Sequence, residues 1–194
     1  MRLWCIPRYT LQVLCGATLK LFSRRCGRRP LAGIPLEWYG IRRFELGNSV
    51  NIGHRSWLSV KDIGACENPG LVIGDRSRLG NFNHIVAVGR ITIGSDVLTA
   101  DHVYISDNTH RYDDPETPVI RQEVRPLGET SIGDGSWLGE NVCVFGAKVG
   151  KHCVIGANSV VNRDIPDYCV AAGTPAKIIR RYDPAKRVWE KVKE

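Results

Sequence analysis

Aliphatic residues followed by glycine recur along most of the chain, at a spacing of six residues or close to a multiple of six. One aliphatic side chain per hexad can point into a core, and the glycine beside it permits a turn. Such coils cannot bury their apolar faces alone, so the period predicts an all-β solenoid, a parallel β-helix. A β-sandwich would instead show period-two alternation. The pairs are Ile52-Gly53, Ile63-Gly64, Ile73-Gly74, Leu79-Gly80, Ile93-Gly94, Ile132-Gly133, Leu138-Gly139, Val149-Gly150 and Ile155-Gly156, with Ile85, Ile91, Thr99, Ile105, Val144 and Val161 at the positions between them.

Both ends of the chain depart from this period. Between Arg8 and Phe22, polar or small residues recur every four positions opposite a leucine-rich side, which predicts an amphipathic helix. At the other end, Asp183-Pro184 resembles an N-cap followed by proline, and Val188 and Val192 are four residues apart. We therefore expect an N-terminal segment over 1–45, a β-helix over 46–182 with a protruding loop over 111–131, and a C-terminal helix over 183–194.

The positive charge is confined to the head of the chain. The net charge is +7, but residues 1–43 carry +8 and the remainder carries about −1. A nucleic-acid-binding protein would more often spread a basic stripe with interleaved aromatic residues over its folded surface. We therefore expect no nucleic-acid partner.

The basic head allows two interpretations. Its apolar length is short of the roughly 20 residues of a membrane span, and no signal cleavage site follows. The arginines after Phe22 suit the peripheral surface of an anionic leaflet, whereas the helix could equally cap the open end of the solenoid. Seven cysteines without a CxxC pair or metal spacing indicate a reducing, cytoplasmic location, with peripheral contact at the inner face of the membrane left open.

Chemistry is expected where the repeat breaks. The hexads stop between Ile105 and Ile132, and a loop containing three prolines takes their place. Loops of this length in a compact domain are usually functional or disordered. His110, at the start of this loop, can take up and return a proton near neutral pH.

Several motifs, taken in order, resemble the hexapeptide-repeat acetyltransferases, closest to the galactoside, maltose and surface-polysaccharide O-acetyltransferase branch. The resemblance covers residues 46–182 and is more specific than the hexads alone. It implies a left-handed β-helix, a homotrimer with sites between subunits, and acetyl-CoA as donor without a metal. The motifs are the hexads, the runs at 106–110 (SDNTH) and 155–161 (IGANSVV), Ile165-Pro166, and the run at 172–177 (AGTPAK).

The resemblance also assigns roles to individual residues. His110 becomes the general base that activates an acceptor hydroxyl, and Asp107 or a backbone carbonyl could orient it. The galactoside enzymes have paired aspartates where this chain has Ala87-Val88, so a different sugar or glycolipid acceptor is expected. The implied acceptor-side residues are Asn81, Asn83, His84 and Asp107, and the implied cofactor-side residues are Trp137, Gly139, Ala157, Asn162, Arg163, Lys177 and Arg180.

Three alternatives are weighed against an O-acetyltransferase of surface polysaccharide or glycolipid biosynthesis. A γ-class carbonic anhydrase would need three zinc-binding histidines, and His84, His102 and His110 lack that spacing. A noncatalytic scaffold would not need His110 or the CoA-side motifs. An acetyltransferase of small xenobiotics or amino sugars remains open.

Overall fold

A computed structural model describes residues 8–192, and the ends of the predicted terminal segments, 1–7 and 193–194, lie outside the described residues. The chain forms a left-handed parallel β-helix, as predicted. Each coil contributes one short strand to each of three sheets, called here faces A, B and C in the order in which the chain visits them. Face A consists of β1 (Arg25–Cys26), β4 (Phe44–Leu46), β7 (Gly70–Ile73), β10 (Arg90–Ile93), β15 (Thr130–Ile132) and β18 (Lys148–Val149).

Faces B and C complete the triangular prism. Face C contains β3 (Glu37–Tyr39), β6 (Trp57–Val60), β9 (His84–Ala87), β12 (Tyr104–Ser106), β17 (Cys143–Phe145) and β20 (Val160–Val161). Face B contains β2 (Leu31–Ala32), β5 (Asn51–Ile52), β8 (Arg78–Leu79), β11 (Leu98–Thr99), β16 (Trp137–Leu138), β19 (Val154–Ile155) and β21 (Cys169–Gly173), and it continues into antiparallel β22 (Ala176–Asp183) and β23 (Val188–Lys191).

The predicted inward positions form the core, with one exception. Ile85, Ile105 and Val144 are completely buried, and they stack in register along face C. Ile63 is instead 44% exposed, because its Ile-Gly pair lies in the segment that links face C to face A rather than in a coil strand. The hexad pattern therefore predicted the buried positions correctly wherever the aliphatic–glycine pair lies at a coil strand.

The glycines serve close stacking rather than the turn itself. A Cβ on Gly74 would lie 2.5 Å from the carbonyl carbon of Gly94, and one on Gly133 would lie 2.6 Å from that of Gly150. The left-handed backbone conformation falls two residues after each of two such glycines, at Arg76 (φ 59°) and Asp96 (φ 56°). The predicted role of these glycines, to permit the turn, was therefore wrong. Glycine is needed because the next coil occupies the space that a Cβ would fill.

The β-helix begins earlier than predicted. A complete coil is built from β1, β2 and β3, so the boundary at residue 46 was wrong. Cys26 and Ala32 take the inward positions of this coil. Because neither is a large aliphatic residue, the hexad pattern was not recognised in this part of the sequence. The predicted helix is present as α1 (Arg8–Phe22). Its Leu19 is completely buried in the same cluster as Ala32, so α1 caps the first coil.

The predicted C-terminal helix is wrong, because residues 176–191 form the β22–β23 hairpin. Asp183 does accept hydrogen bonds from the N–H groups of Ala185 and Lys186, as a helix cap would. Here the same capping closes a hairpin turn, in which Arg187 has a φ of 56°. Pairing with an existing sheet edge outweighs the weak preference of this short segment for a helix.

Candidate active site

The loop that carries His110 leaves the prism at the corner between faces C and A. It begins as a hairpin of β13 (Asn108–His110) and β14 (Val124–Pro126), in which His110 pairs with Val124. A short 3₁₀ turn over Val119–Arg121 lies between these two strands, at the exposed tip of the loop. His110 itself is exposed, and among residues 8–192 its side chain makes no hydrogen bond or ion pair. The hairpin therefore fixes the backbone of His110 and leaves its imidazole available.

Asp107 does not orient His110 in this chain. It is 2% exposed, and its two carboxylate oxygens accept hydrogen bonds from the backbone N–H groups of Val88 and Gly89, both at 2.8 Å. Asn108 donates from Nδ2 to Asp107 at 3.1 Å and to the carbonyl of Val86 at 3.1 Å. Asp107 and Asn108 therefore fasten the base of the loop to the coil below.

The two predicted acceptor asparagines are held at the corner between faces B and C. Asn81 donates to Asp101 at 3.0 Å and accepts from the backbone N–H of His54 at 2.9 Å. Asn83 is 1% exposed, donates to Thr99 at 2.5 Å and accepts from the N–H of Val103 at 2.8 Å. Asn83 is a buried structural residue, so its predicted acceptor role is wrong, whereas Asn81 is partly exposed.

His84 lies in an aromatic ladder on face C. Its ring stacks on Trp57 with centroids 4.3 Å apart and meets the edge of Tyr104 at 5.2 Å. Its Nε2 is buried, with no hydrogen-bond partner among the described residues. Burial lowers the pKa of His84, and the opposing effect of the Glu37 carboxylate is smaller. The structure therefore gives His84 a packing role, and its ring contacts are with Trp57 and Tyr104 rather than with His110.

His102, which a carbonic anhydrase would need beside His84 and His110 as a zinc ligand, has different neighbours from both. It stacks on Phe82 with ring centroids 4.9 Å apart, and its Nδ1 lies 3.0 Å from a carboxylate oxygen of Glu140. His84, His102 and His110 thus occupy three separate environments and do not converge on one point.

Three of the seven predicted cofactor residues, Trp137, Lys177 and Arg180, lie on strands of face B. Trp137 is opposite Val154, Val154 is opposite Val170, and Val170 is opposite Arg180. With strands about 4.8 Å apart, this outward-facing row extends about 14 Å along the prism. We call these four residues the face B row.

The two ends of the face B row differ in chemistry. Trp137 is 48% exposed and presents an aromatic surface. At the other end, a groove of about 840 Å³ is lined by Lys177, Arg180 and Lys191 together with aliphatic residues of the terminal hairpin. An extended ligand with an apolar arm and an anionic end fits this arrangement, because cations and an apolar strip follow one another along its length.

Gly139 and Ala157 stack at the corner beside this row. A Cβ on Gly139 would lie 2.8 Å from the backbone nitrogen of Ala157, so these two coils can approach only with glycine there. Asn162 and Arg163 instead lie exposed after β20, at the corner between faces C and A. The predicted cofactor residues therefore fall into two groups.

One chain alone does not bring the two halves of the site together. In a three-sided prism, the corner between faces C and A lies opposite face B. His110, Asn162 and Arg163 belong to that corner, whereas Trp137 and Arg180 belong to face B. No single chain can therefore place His110 beside Trp137.

The sequence analysis did not identify two residues that adjoin the candidate site, Leu98 beside Trp137 and Asn108 at the base of the His110 loop. Leu98 precedes Thr99 as Trp137 precedes Leu138, and the register pairs Leu98 with Trp137 on face B. That equivalence was visible in the hexads. The anchoring role of Asn108 was not visible, because its partner Val86 is 22 residues away in sequence.

Known proteins resemble this chain in both sequence and structure. A family model described as the hexapeptide repeat of succinyl-transferase matches residues 129–163. The chain is 40% identical to the putative lipopolysaccharide biosynthesis O-acetyl transferase WbbJ of Escherichia coli (strain K12) over 62% of this chain and 65% of that protein. It is 38% identical to the galactoside O-acetyltransferase of the same strain over 54% of this chain and 51% of that protein. It therefore spans less than two thirds of the length of either.

A solved structure agrees with these relatives. The maltose O-acetyltransferase from Clostridium difficile 630 superimposes with a TM-score of 0.60 at 27% identity, over 73% of this chain and 72% of that chain. In its hexapeptide repeat, its fold and its sequence, this chain is similar to the galactoside, maltose and lipopolysaccharide O-acetyltransferases.

Proposed function

We propose that this protein is an acetyl-CoA-dependent O-acetyltransferase that modifies a sugar hydroxyl in a surface polysaccharide or glycolipid. The face B row, which joins Trp137 to the cationic groove at Lys177 and Arg180, carries this proposal. Coenzyme A has the matching chemistry, because its pantetheine arm is extended and its nucleotide end carries phosphates. The named activities of the relatives support an acetyl donor and a sugar acceptor.

In the proposed reaction, His110 is the general base. Its imidazole takes the proton of the acceptor hydroxyl as the oxygen attacks the thioester carbonyl. The new carbon–oxygen bond forms, the carbon–sulfur bond breaks, and the proton passes to the departing thiolate. A positioned base supplies about 10² to 10⁴ in rate, and alignment of the two substrates supplies much of the rest.

The proposed assembly is a homotrimer with sites between neighbouring copies. Its support is the placement of His110 and Arg163 at the corner opposite Trp137, which leaves each chain with two half-sites. The tip of the His110 loop adds to this argument, because Ile120 is 89% exposed and Tyr112 is 66% exposed. Apolar side chains at a loop tip are suited to contact with a second copy.

We also propose a cytoplasmic enzyme that touches the inner membrane surface through the outer side of α1. Leu14, Leu21 and Phe22 are exposed there, and Arg24 and Arg25 follow. Apolar side chains beside arginines match an interfacial helix on an anionic leaflet. No helix within residues 8–192 has the length and apolar character needed to cross a bilayer.

The activity is tested by thiol release from acetyl-CoA across a panel of sugars, glycolipids and amino sugars. We expect release that depends on a sugar acceptor and falls by about 10² to 10⁴ in His110→Ala. His152→Ala is the matched control, since His152 is exposed and stacks on Tyr168 at the corner between faces A and B. Turnover of His110→Ala within a few fold of wild type would refute the assigned base.

The membrane contact is tested by cosedimentation with vesicles of neutral or anionic phospholipid. We expect binding to anionic vesicles that Leu21→Asp abolishes and Ile63→Asp leaves unchanged, because Ile63 is equally apolar but lies in the segment between faces C and A. Equal binding by Leu21→Asp and wild type would exclude α1 as the contact.

A further inference from the structure

A cavity of about 520 Å³ lies between α1 and the first coils, on the side of face B. Its size falls within the usual range of ligand sites. It is separate from the cationic groove at the terminal hairpin, which lies at the other end of the same face. The residues around it are Tyr9, Val13, Ala17, Lys20, Arg29, Pro30, Leu31, Ser49, Asn51 and Arg78.

One wall of this cavity is apolar. Tyr9, Val13 and Ala17 follow one another at four-residue intervals, so they form a single stripe along α1. Tyr9 is 66% exposed and Val13 is 42% exposed, although the opposite side of the helix is buried. Leu14 and Leu21 do not line this cavity.

The rim of the cavity is cationic. Lys20, Arg29 and Arg78 line it, and no acidic residue does so among those described. None of these three side chains forms an ion pair within residues 8–192, whereas Arg76 lies 2.6 Å from Asp96 and Arg43 lies 2.7 Å from Asp62. Three unpaired cations around an apolar wall are suited to an anionic group attached to a hydrocarbon.

The cavity and Trp137 share one face of the prism. Arg78 is opposite Leu98, and Leu98 is opposite Trp137. Two strand spacings, or about 10 Å, therefore separate the cationic rim from the aromatic end of the face B row. A ligand held at the rim can extend along the surface to the region where the thioester of a bound donor would lie.

We infer that this cavity binds the phosphate or diphosphate of a lipid-linked glycan, together with the first part of its hydrocarbon chain. Lys20, Arg29 and Arg78 contact the phosphate, the Tyr9, Val13 and Ala17 stripe contacts the hydrocarbon, and the glycan extends toward Trp137. This inference rests on the proposed function, since it names the class of acceptor. A water-soluble sugar phosphate would use the cations and leave the apolar stripe unused.

Titration calorimetry with the full-length protein tests the inference directly. The probe is dodecyl phosphate below its micelle concentration, compared with dodecyl maltoside, which has the same chain and a neutral head, and with inorganic phosphate. We expect one dodecyl phosphate per chain, bound about tenfold or more tightly than either comparison compound, because only this probe engages both the cations and the stripe.

Variants then locate the site. Arg29→Gln combined with Arg78→Gln should weaken dodecyl phosphate binding about tenfold or more, and Ala17→Asp should do the same. Arg121→Gln, which removes an exposed arginine at the tip of the His110 loop, should not, and neither should Leu21→Asp on the outer side of α1. Thermal melts followed by circular dichroism establish that each variant is folded.

The outcomes separate this inference from the proposed function. Wild-type affinity in the double variant, or equal affinity of the wild type for dodecyl phosphate and inorganic phosphate, would overturn the lipid-phosphate site. Acetyl transfer to a soluble sugar in the same preparations reports on the proposed function independently. Transfer without dodecyl phosphate binding refutes only the inference, whereas binding without transfer to any acceptor refutes only the proposed activity.

Discussion

The carboxylate of Asp107 holds the backbone N–H of Gly89 at 2.8 Å and thereby ties the base of the His110 loop to the coil below it. The second carboxylate oxygen accepts from the N–H of Val88, also at 2.8 Å. A buried carboxylate with several donors is a strong anchor, because each charge-assisted bond is formed away from water. The position of His110 therefore depends on a residue that does not touch it.

Replacement of this carboxylate should cost stability. In Asp107→Asn, the amide would point an N–H₂ group at one of the two backbone donors, so one buried N–H would lose its acceptor. We expect the free energy of unfolding to fall by about 1.5–3 kcal/mol, as measured by urea denaturation. Asp113→Asn, at an exposed ion pair of the same loop, should change it by less than about 1 kcal/mol. Equal effects of the two substitutions would argue against the anchor.

The cationic end of the face B row should bind the 3′-phosphate end of the donor. We expect Arg180→Ala to raise the KM for acetyl-CoA about tenfold at unchanged kcat, because the contact lies far from the reacting carbonyl. The substitution should have little effect when 3′-dephospho-acetyl-CoA is the donor. Arg181→Ala is the control, since the neighbouring strand residue points to the other side of β22. A similar loss with both donors would show that Arg180 does not contact this phosphate.

The proposed sites between copies can be tested by mixing inactive variants. His110→Ala and Trp137→Ala chains, unfolded and refolded together, should regain activity, because some sites then combine a wild-type His110 with a wild-type Trp137. Random assembly at equal amounts should restore about one quarter of wild-type activity. Each variant refolded alone is the control. An inactive mixture that contains mixed trimers would contradict sites shared between chains.

Burial of His84 should make stability depend on pH. Because folding lowers the pKa of His84 below its ordinary value of 6.5, the unfolded chain binds the proton more readily. This residue therefore reduces stability as the pH falls through 6.5, and it has no such effect above that range. We expect thermal melts between pH 7.5 and about pH 5.5 to show a shallower decline for His84→Phe than for wild type.

His152→Phe is the matched control for this pH dependence. His152 also stacks on an aromatic ring, at 5.5 Å from Tyr168, but its side chain is exposed. Parallel declines of His84→Phe and wild type would show that the ring of His84 is protonated equally well in the folded chain.

The hexad period was sufficient to predict the β-helix, because successive coils repeat the same arrangement of inward and turn residues. An inward aliphatic residue and a glycine recur in every coil after the first, so stacking alone buries Ile85 on Ile105 and Ile105 on Val144. The same method missed the first coil, where Cys26 and Ala32 replace the aliphatic residues under α1. It also misassigned the C-terminal hairpin, because Asp183 can close either a helix or a turn.

Individual site residues were less predictable than the fold. Trp137 and Arg180, which the family resemblance assigns to the cofactor side, lie in one row on face B, and their contact with a cofactor stays a prediction. Asn83 and Asp107 were assigned to the acceptor, yet both are buried and committed to hydrogen bonds with their own chain. A polar residue looks the same in sequence whether it faces a ligand or the backbone of the next coil.

The sequence by itself determined the coil, the interruption that bears His110, and the basic character of the head, because these depend on the order of residues within a few positions. Only the tertiary structure decided that Trp137 and Arg180 form one row, that His110 is on the opposite corner, and that Lys20, Arg29 and Arg78 surround one cavity. These relationships join residues of different coils. Their distances are set by how the coils stack and by how α1 packs on the first of them.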